Sequence, residues 1–213
     1  MYVPDVFKET DHDRVAQFIA RHPLATLIGV QEGKPVADHL PFLCLDTLAL
    51  GSTLIAHTSI SNPTWKLGEN RPEVLLVFSG ATAYVSPSLY PSKQQTHEVV
   101  PTYNYLSVHL RGHLEHSHER DTKLHHVTRL TEAMERTRAQ PWSVSDAPAP
   151  YIEKMLKGLV ALTFTVTSIT AKTKASQNRL PQDQAGVARG LENDPATRDA
   201  AALVAARVTI SNP

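Results

Sequence analysis

Four stretches of the sequence carry more polar and conformationally special residues than packing alone requires. In Ala37-Asp38-His39-Leu40-Pro41-Phe42, an acid and an imidazole stand side by side in an apolar run. Neighbours on a strand face opposite ways, so one of the pair is expected to point inward, where it needs a hydrogen-bond partner or a ligand. In His57-Thr58-Ser59-Ile60-Ser61-Asn62-Pro63-Thr64-Trp65-Lys66, three hydroxyls and an amide lead into a proline-opened helix start. Free N–H groups there favour an anion, with Lys66 one turn in, and plain capping by Ser61 or Asn62 uses the same residues. Tyrosines alternate with small polar residues in Ala83 to Tyr90 and again in Val100-Pro101-Thr102-Tyr103-Asn104-Tyr105. Such pieces suit a flat aromatic ligand or a subunit interface, and ordinary strand-edge packing produces them too. Lys172-Thr173-Lys174-Ala175-Ser176-Gln177-Asn178-Arg179 offers three cations, a hydroxyl and two amides. That set suits a phosphate or a nucleotide edge, and a solvated loop has the same composition.

Two other features are set aside. His113, His116, His118, His125 and His126 crowd one region without a metal-binding spacing, so no metal is assigned and a solvated surface is expected. Cys44 has no second cysteine to pair with, so a disulfide framework and a cysteine-based zinc site are excluded and buried packing is expected.

Composition narrows the function classes. The 213 residues form a globular mixture, 41% hydrophobic and 20% charged. Lys plus Arg and Asp plus Glu both number 21, so the net charge of zero argues against a broad basic face for nucleic acid. No apolar run reaches the ~20 residues of a membrane span, and Met1-Tyr2-Val3-Pro4-Asp5 is no secretory signal. A cytoplasmic protein with no membrane partner is the expectation. No GxGxxG, P-loop or GxSxG occurs.

The elements that must position these residues can be read from periodicity. A helix starts near Thr10 or Asp11 and stops at His22-Pro23. Strands are expected over 24–30, 36–43, 53–58, 73–79 and 82–86, the last two hinged at Gly80, then over 103–115 and 159–172. A short helix over 63–68, an amphipathic helix over 118–137, a shorter one over 151–158 and two helical pieces at 183–192 and 195–206 complete the pattern. The polar loop 91–98 is expected to be mobile. Strands joined by tight turns with peripheral helices predict an α+β, mainly antiparallel barrel.

The pieces Pro23-Leu24-Ala25-Thr26-Leu27, His39-Leu40-Pro41-Phe42, Ala56-His57-Thr58 with Asn62-Pro63-x-Trp65, Tyr84-Val85-Ser86-Pro87-Ser88-x-Tyr90, Val100 to Tyr105 and Lys174-x-Ser176-Gln177-Asn178-Arg179 occur in order. Together they resemble the PaiB-like FMN-binding negative transcriptional regulators, from Met1 to about Glu192. Leu89 and Tyr103 stand where that family often carries tryptophan. The resemblance implies a split β-barrel, a single domain over 1–213 with a helical extension from about 182, and a homodimer with FMN at the subunit interface. It implies that His39, Leu40 and Pro41, with His57, Thr58, Ser59, Ser61, Asn62 and Trp65, line one side of the flavin. Lys174, Ser176, Gln177 and Asn178 would meet the cofactor from another side. It also implies a regulatory or DNA partner, although no helix-turn-helix is evident. A flavin-dependent oxidoreductase acting on a small molecule is the alternative reading, and a haem-binding split barrel, resting on the histidines alone, is a third.

Overall fold

The computed structural model describes residues 1–208. Its first element pairs are short: a 3-10 turn at Asp5–Phe7, the two-residue strand β1 (Lys8–Glu9) and helix α1 (His12–Arg21). Val15 and Ile19, one turn apart, supply the buried stripe of α1. Strands β2 (Leu24–Gln31) and β3 (Lys34–Pro41) form a hairpin in which Gln31 faces Lys34. Glu32 and Gly33 at its tip have φ of 51° and 74°, the two left-handed residues a tight two-residue hairpin turn needs. Strands β4 (Leu43–Cys44) and β5 (Thr53–Ser59) follow, then a 3-10 helix at Pro63–Gly68.

Strand β6 (Glu73–Val85) runs unbroken through Gly80, where the sequence predicts a hinge between two strands. Gly80 is not among the residues with positive φ, so the backbone uses none of glycine's extra freedom there and the ladder continues. Helix α2 (Lys93–Thr96) lies in the segment expected to be a mobile loop. Its neighbour Ser92 is buried and held by Asp183, through N–H to Oδ1 at 3.0 Å and Oγ–H to Oδ2 at 2.8 Å. Those two bonds fix the segment that its composition left free. Strand β7 (Thr102–Ser117), helices α3 (Arg120–Glu135) and α4 (Ala149–Lys157), strand β8 (Leu159–Lys174) and helices α5 (Pro181–Glu192) and α6 (Arg198–Val208) complete the chain. The expected helical extension coincides with α5 and α6, and its last residues, 209–213, lie outside the described residues.

The strands form one sheet in the order β3-β2-β6-β7-β8-β5-β4, with β1 added to β8. The pairs β2–β3, β2–β6, β4–β5, β5–β8 and β1–β8 are all antiparallel. This is the α+β, mainly antiparallel split β-barrel expected from the strand pattern.

The chain divides into two compact units that share β6, β7 and β8. Of the described residues, one holds 1–11, 79–108 and the chain from 170 onward, and the other holds 12–78 and 109–169. The first has its own core of Ala83, Val85, Tyr90, Ala175, Val187, Leu191, Ala200, Ala201 and Val204, by which α5 and α6 pack on the ends of the strands. In the second, Leu27, Phe42, Leu54, Ile55, Leu76, Phe78, Leu110 and Phe164 are almost fully buried. A Cβ at Gly112 would lie 2.1 Å from the Thr165 carbonyl oxygen, so β7 and β8 approach one another there only because residue 112 has no side chain.

Candidate functional site

In the second unit, β3 presents Asp38 toward the turn that follows β5. The Asp38 carboxylate accepts hydrogen bonds from the Asn62 amide and, at 3.1 Å, from the Thr64 hydroxyl. It also accepts the His39 backbone N–H at 2.7 Å. Burial pulls this carboxyl up, but the donors Asn62, His39 N–H and Thr64 outweigh it and hold Asp38 below the ordinary carboxylate range. Asn62 is at the same time the cap of the Pro63–Gly68 helix, its Oδ1 accepting from Thr64 N at 3.1 Å. Between cap and carboxylate, both ends of the Asn62 amide are used, and the nearest charge is negative. Plain capping, one of the two readings of this stretch, is therefore what the geometry displays.

The other residues expected on this side divide by exposure. His39, Ser59 and Ser61 are exposed, Pro41 and His57 half-buried, and Leu40 and Thr58 buried. The His57 imidazole is driven down from its ordinary value by burial, and its Nδ1 makes no hydrogen bond among the described residues. Trp65 donates its indole N–H to the Ile60 carbonyl at 3.3 Å and carries Lys66 Nζ 5.2 Å from its ring centroid.

The histidine region keeps His118 and His125 exposed, as expected, but corrects the expectation at His126. His126, on α3, is 4% exposed, and its Nδ1 lies 3.2 Å from the Ala56 carbonyl oxygen of β5. An amphipathic helix must bury one face, and His126 falls on it. His116 and His118 lean on Trp65, with ring centroids 4.7 and 5.1 Å away. Among the described residues no group of three or more His, Cys, Asp or Glu converges as a metal would need. Cys44 is half-buried rather than buried, its thiol donating to the Asp46 carbonyl at 3.2 Å and pushed up by burial.

In the first unit, the end of β8 and the loop after it build a cavity of about 230 Å³ lined by Phe7, Thr102, Asn104, Lys174, Ser176, Asn178 and Arg179. Lys174, Ser176 and Asn178 are three of the four residues expected there, and Gln177 supports them from outside. Its Oε1 accepts the Ala175 N–H at 2.7 Å and its Nε2 donates to the Thr173 carbonyl, so the side chain spans Ser176 and ties the loop back to the end of β8. Ser176 has φ of 61°, a left-handed conformation that costs a non-glycine residue about 1 kcal/mol or more and persists where surroundings impose it. The imposing partner is Asn104, which is fully buried and donates from Nδ2 to Ser176 Oγ at 2.9 Å.

Lys174 donates to the Thr102 hydroxyl, and the Arg179 guanidinium lies 4.9 Å from the Tyr90 ring centroid. Stacking on that ring fixes the plane of its donor fork. No carboxylate lines the cavity, and neither cation forms an ion pair among the described residues. Two cations, two hydroxyls and two amides around a small space form the donor set that a phosphate demands. Phe7, Thr102 and Asn104 were not singled out as site residues from the sequence. The alternation of β7 carried the signal: Thr102 and Asn104 share a face, while Tyr103, 57% exposed, points away and meets Tyr84 edge-on at 5.7 Å. Phe7 had no local signal, because a two-residue strand brings it there.

A whole-ligand pocket usually encloses about 300–1,000 Å³, so this cavity takes one end of a larger molecule. The phosphate and ribityl end of FMN matches its size and its donors.

Comparison with known proteins gives the same cofactor. The family model described as "Putative FMN-binding domain" matches residues 1–168. The Protease synthase and sporulation protein PAI 2 of Bacillus subtilis is 32% identical over 194 residues, covering 91% of this chain and 90% of that protein. Two solved structures share the fold at low identity. The FAD and haem binding protein from Mycobacterium smegmatis has a TM-score of 0.58 at 21% identity, covering 78% of this chain and 73% of that one. The flavocytochrome Anf3 from Azotobacter vinelandii has a TM-score of 0.56 at 17% identity, covering 79% and 69%. A split barrel, a phosphate-suited cavity and similarity along nine-tenths of the chain converge: this chain belongs to the PaiB-like family of FMN-binding proteins.

Proposed function

We propose that this chain is a homodimeric, FMN-binding regulatory protein whose loop at 174–179 takes the flavin phosphate. The observation that carries the reading is the cavity whose two cations, Lys174 and Arg179, form no ion pair among the described residues, with a buried Asn104–Ser176 bond behind them. Bound FMN supplies reversible electron and hydride chemistry. The chain's own part is to hold one end of it. Lys174 spends one N–H on Thr102 and keeps the others for a phosphate oxygen, which also leaves the Thr102 hydroxyl hydrogen free to donate. Arg179 offers two parallel donors in a plane set by Tyr90.

The Asp38 carboxylate makes the neighbourhood of β3 and the β5 turn unfavourable for a phosphate, which leaves the 174–179 loop to take it. The exposed Tyr84–Tyr103 pair supports a homodimer contact. The regulatory role rests on the resemblance to the PaiB-like negative regulators, and the zero net charge favours action through a protein partner over direct tracking of DNA.

The test is a fluorescence titration of FMN and of riboflavin, which lacks the phosphate, against Lys174→Ala. A charge-assisted bond contributes about 1.5–3 kcal/mol, so FMN affinity should fall about 10- to 100-fold while riboflavin affinity stays within twofold. An equal loss for both flavins, or no loss for either, would remove the phosphate from this cavity.

A further inference from the structure

One wall of the cavity comes from a segment remote in sequence. Phe7 lines it beside Lys174, whose Nζ lies 5.9 Å from the Phe7 ring centroid. The segment that carries Phe7 is lightly held. Its ladder to β8 has two residues, Lys8 facing Lys172 and Glu9 facing Ala171. Further ties to the β8 end and its loop are single side-chain contacts. Lys172 donates to the Tyr2 carbonyl at 3.2 Å with its Nζ 5.9 Å from the Tyr2 ring, Thr173 donates to Glu9 Oε2 at 3.3 Å, and Gln177 donates to the Val6 carbonyl at 3.2 Å. None of residues 1–9 is buried, and Tyr2 and Val6 are exposed. A segment with few buried contacts and a two-residue ladder opens at low free energy.

Gln177 joins the segment to the site. The same side-chain amide that holds Val6 also reaches back across the left-handed Ser176 to Ala175 and Thr173. Docking of the segment and the shape of the loop therefore share one side chain. Whatever favours the one favours the other, reciprocally.

We propose that Tyr2–Glu9 is a strap that closes the cavity over a bound phosphate-bearing ligand, with Phe7 as its inner face and Gln177 as its latch. The proposal rests on the reading of the cavity as the FMN phosphate site. In the open state the phosphate enters past Lys174 and Arg179. In the closed state Phe7 keeps water from one side of it, and the ligand cannot leave until the strap lifts. Ligand residence is then set by strap opening, and affinity is tuned through dissociation.

The experiment is millisecond hydrogen exchange on the full chain, read by mass spectrometry, with no ligand, with saturating FMN and with inorganic phosphate. Alongside it, the FMN dissociation rate is measured for wild type and Phe7→Ala. FMN is expected to slow exchange in residues 4–9 and in 174–179 together, about tenfold, and Phe7→Ala to speed FMN release about tenfold. Phosphate alone is expected to protect both segments in the same ratio to one another. Protection of 174–179 without 4–9, or an unchanged release rate in Phe7→Ala, overturns the strap and leaves the cavity as the phosphate site. FMN binding that protects neither segment overturns both readings. Should Phe7→Ala fail to fold, the wild-type exchange pattern decides alone.

Discussion

Asp38 and Asn62 show how two residues with chemical potential can be used up by structure. One carboxylate accepts three donors, and one amide both caps a helix and feeds that carboxylate. Asn62→Ala is expected to cost about 1–2 kcal/mol of stability in urea unfolding, from the lost cap and the partly unpaired Asp38. Corrected for folding, its FMN affinity should stay within twofold of wild type, in contrast to Lys174→Ala. Ser176 behaves in the opposite way. Its hydroxyl meets a fully buried Asn104, so Ser176→Ala strands the Asn104 amide and keeps the left-handed backbone. The expected cost is about 1–3 kcal/mol, read as a lower urea midpoint, together with weaker FMN binding. Of these residues, Asn62, Ser176 and Lys174 were legible in the sequence because small polar residues cluster around them. Asn104 was legible only as part of a tyrosine-bearing stretch, and the partner that makes it matter is 72 residues away.

At the scale of elements, periodicity located the long strands and helices, because apolar alternation and helical stripes are local, while the short β1, β4 and α2 are too brief to show a period. The other exceptions share a cause. The hinge expected at Gly80, the mobility expected near residue 95 and the solvation expected at His126 were each decided by a distant element. These are the neighbouring ladder, the Asp183 carboxylate of α5 and the Ala56 carbonyl of β5. The last has a consequence for pH. Helix α3 meets β5 through His126, with His125 on the same helix and His57 on the strand nearby. Burial lowers the affinity of both His57 and His126 for protons. The unfolded chain protonates them near the ordinary value of about 6.5, while the folded chain resists until lower pH. The stability they contribute is therefore complete above about 6.5 and is lost as the pH falls below it. Melting temperature should drop between pH 7.5 and 5.5, and the drop should be shallower in His126→Gln. An equal drop in the variant would assign it to other groups.

For the whole molecule, charge balance and oligomeric state decide between ways of acting. Light scattering should return twice the chain mass of 23.4 kDa, and Tyr84→Asp with Tyr103→Asp should return a single copy. Binding to random DNA should be undetectable at physiological salt, since the 21 acidic side chains balance the 21 basic ones. Among the described residues no helix is long and apolar enough to cross a membrane. The interleaving of the two units through β6, β7 and β8 bears on how the protein is made. A ribosome delivers Phe7 first, Thr102 and Asn104 much later, and the 174–179 loop later still. The chain emerges at about 5–20 residues per second, so the early pieces wait seconds for the last one. With the flavin phosphate in this cavity, as proposed, the nascent chain has no completed grip for it, and loading is expected to follow synthesis. The level of free FMN in the cell then sets the fraction of charged copies, not the rate of translation.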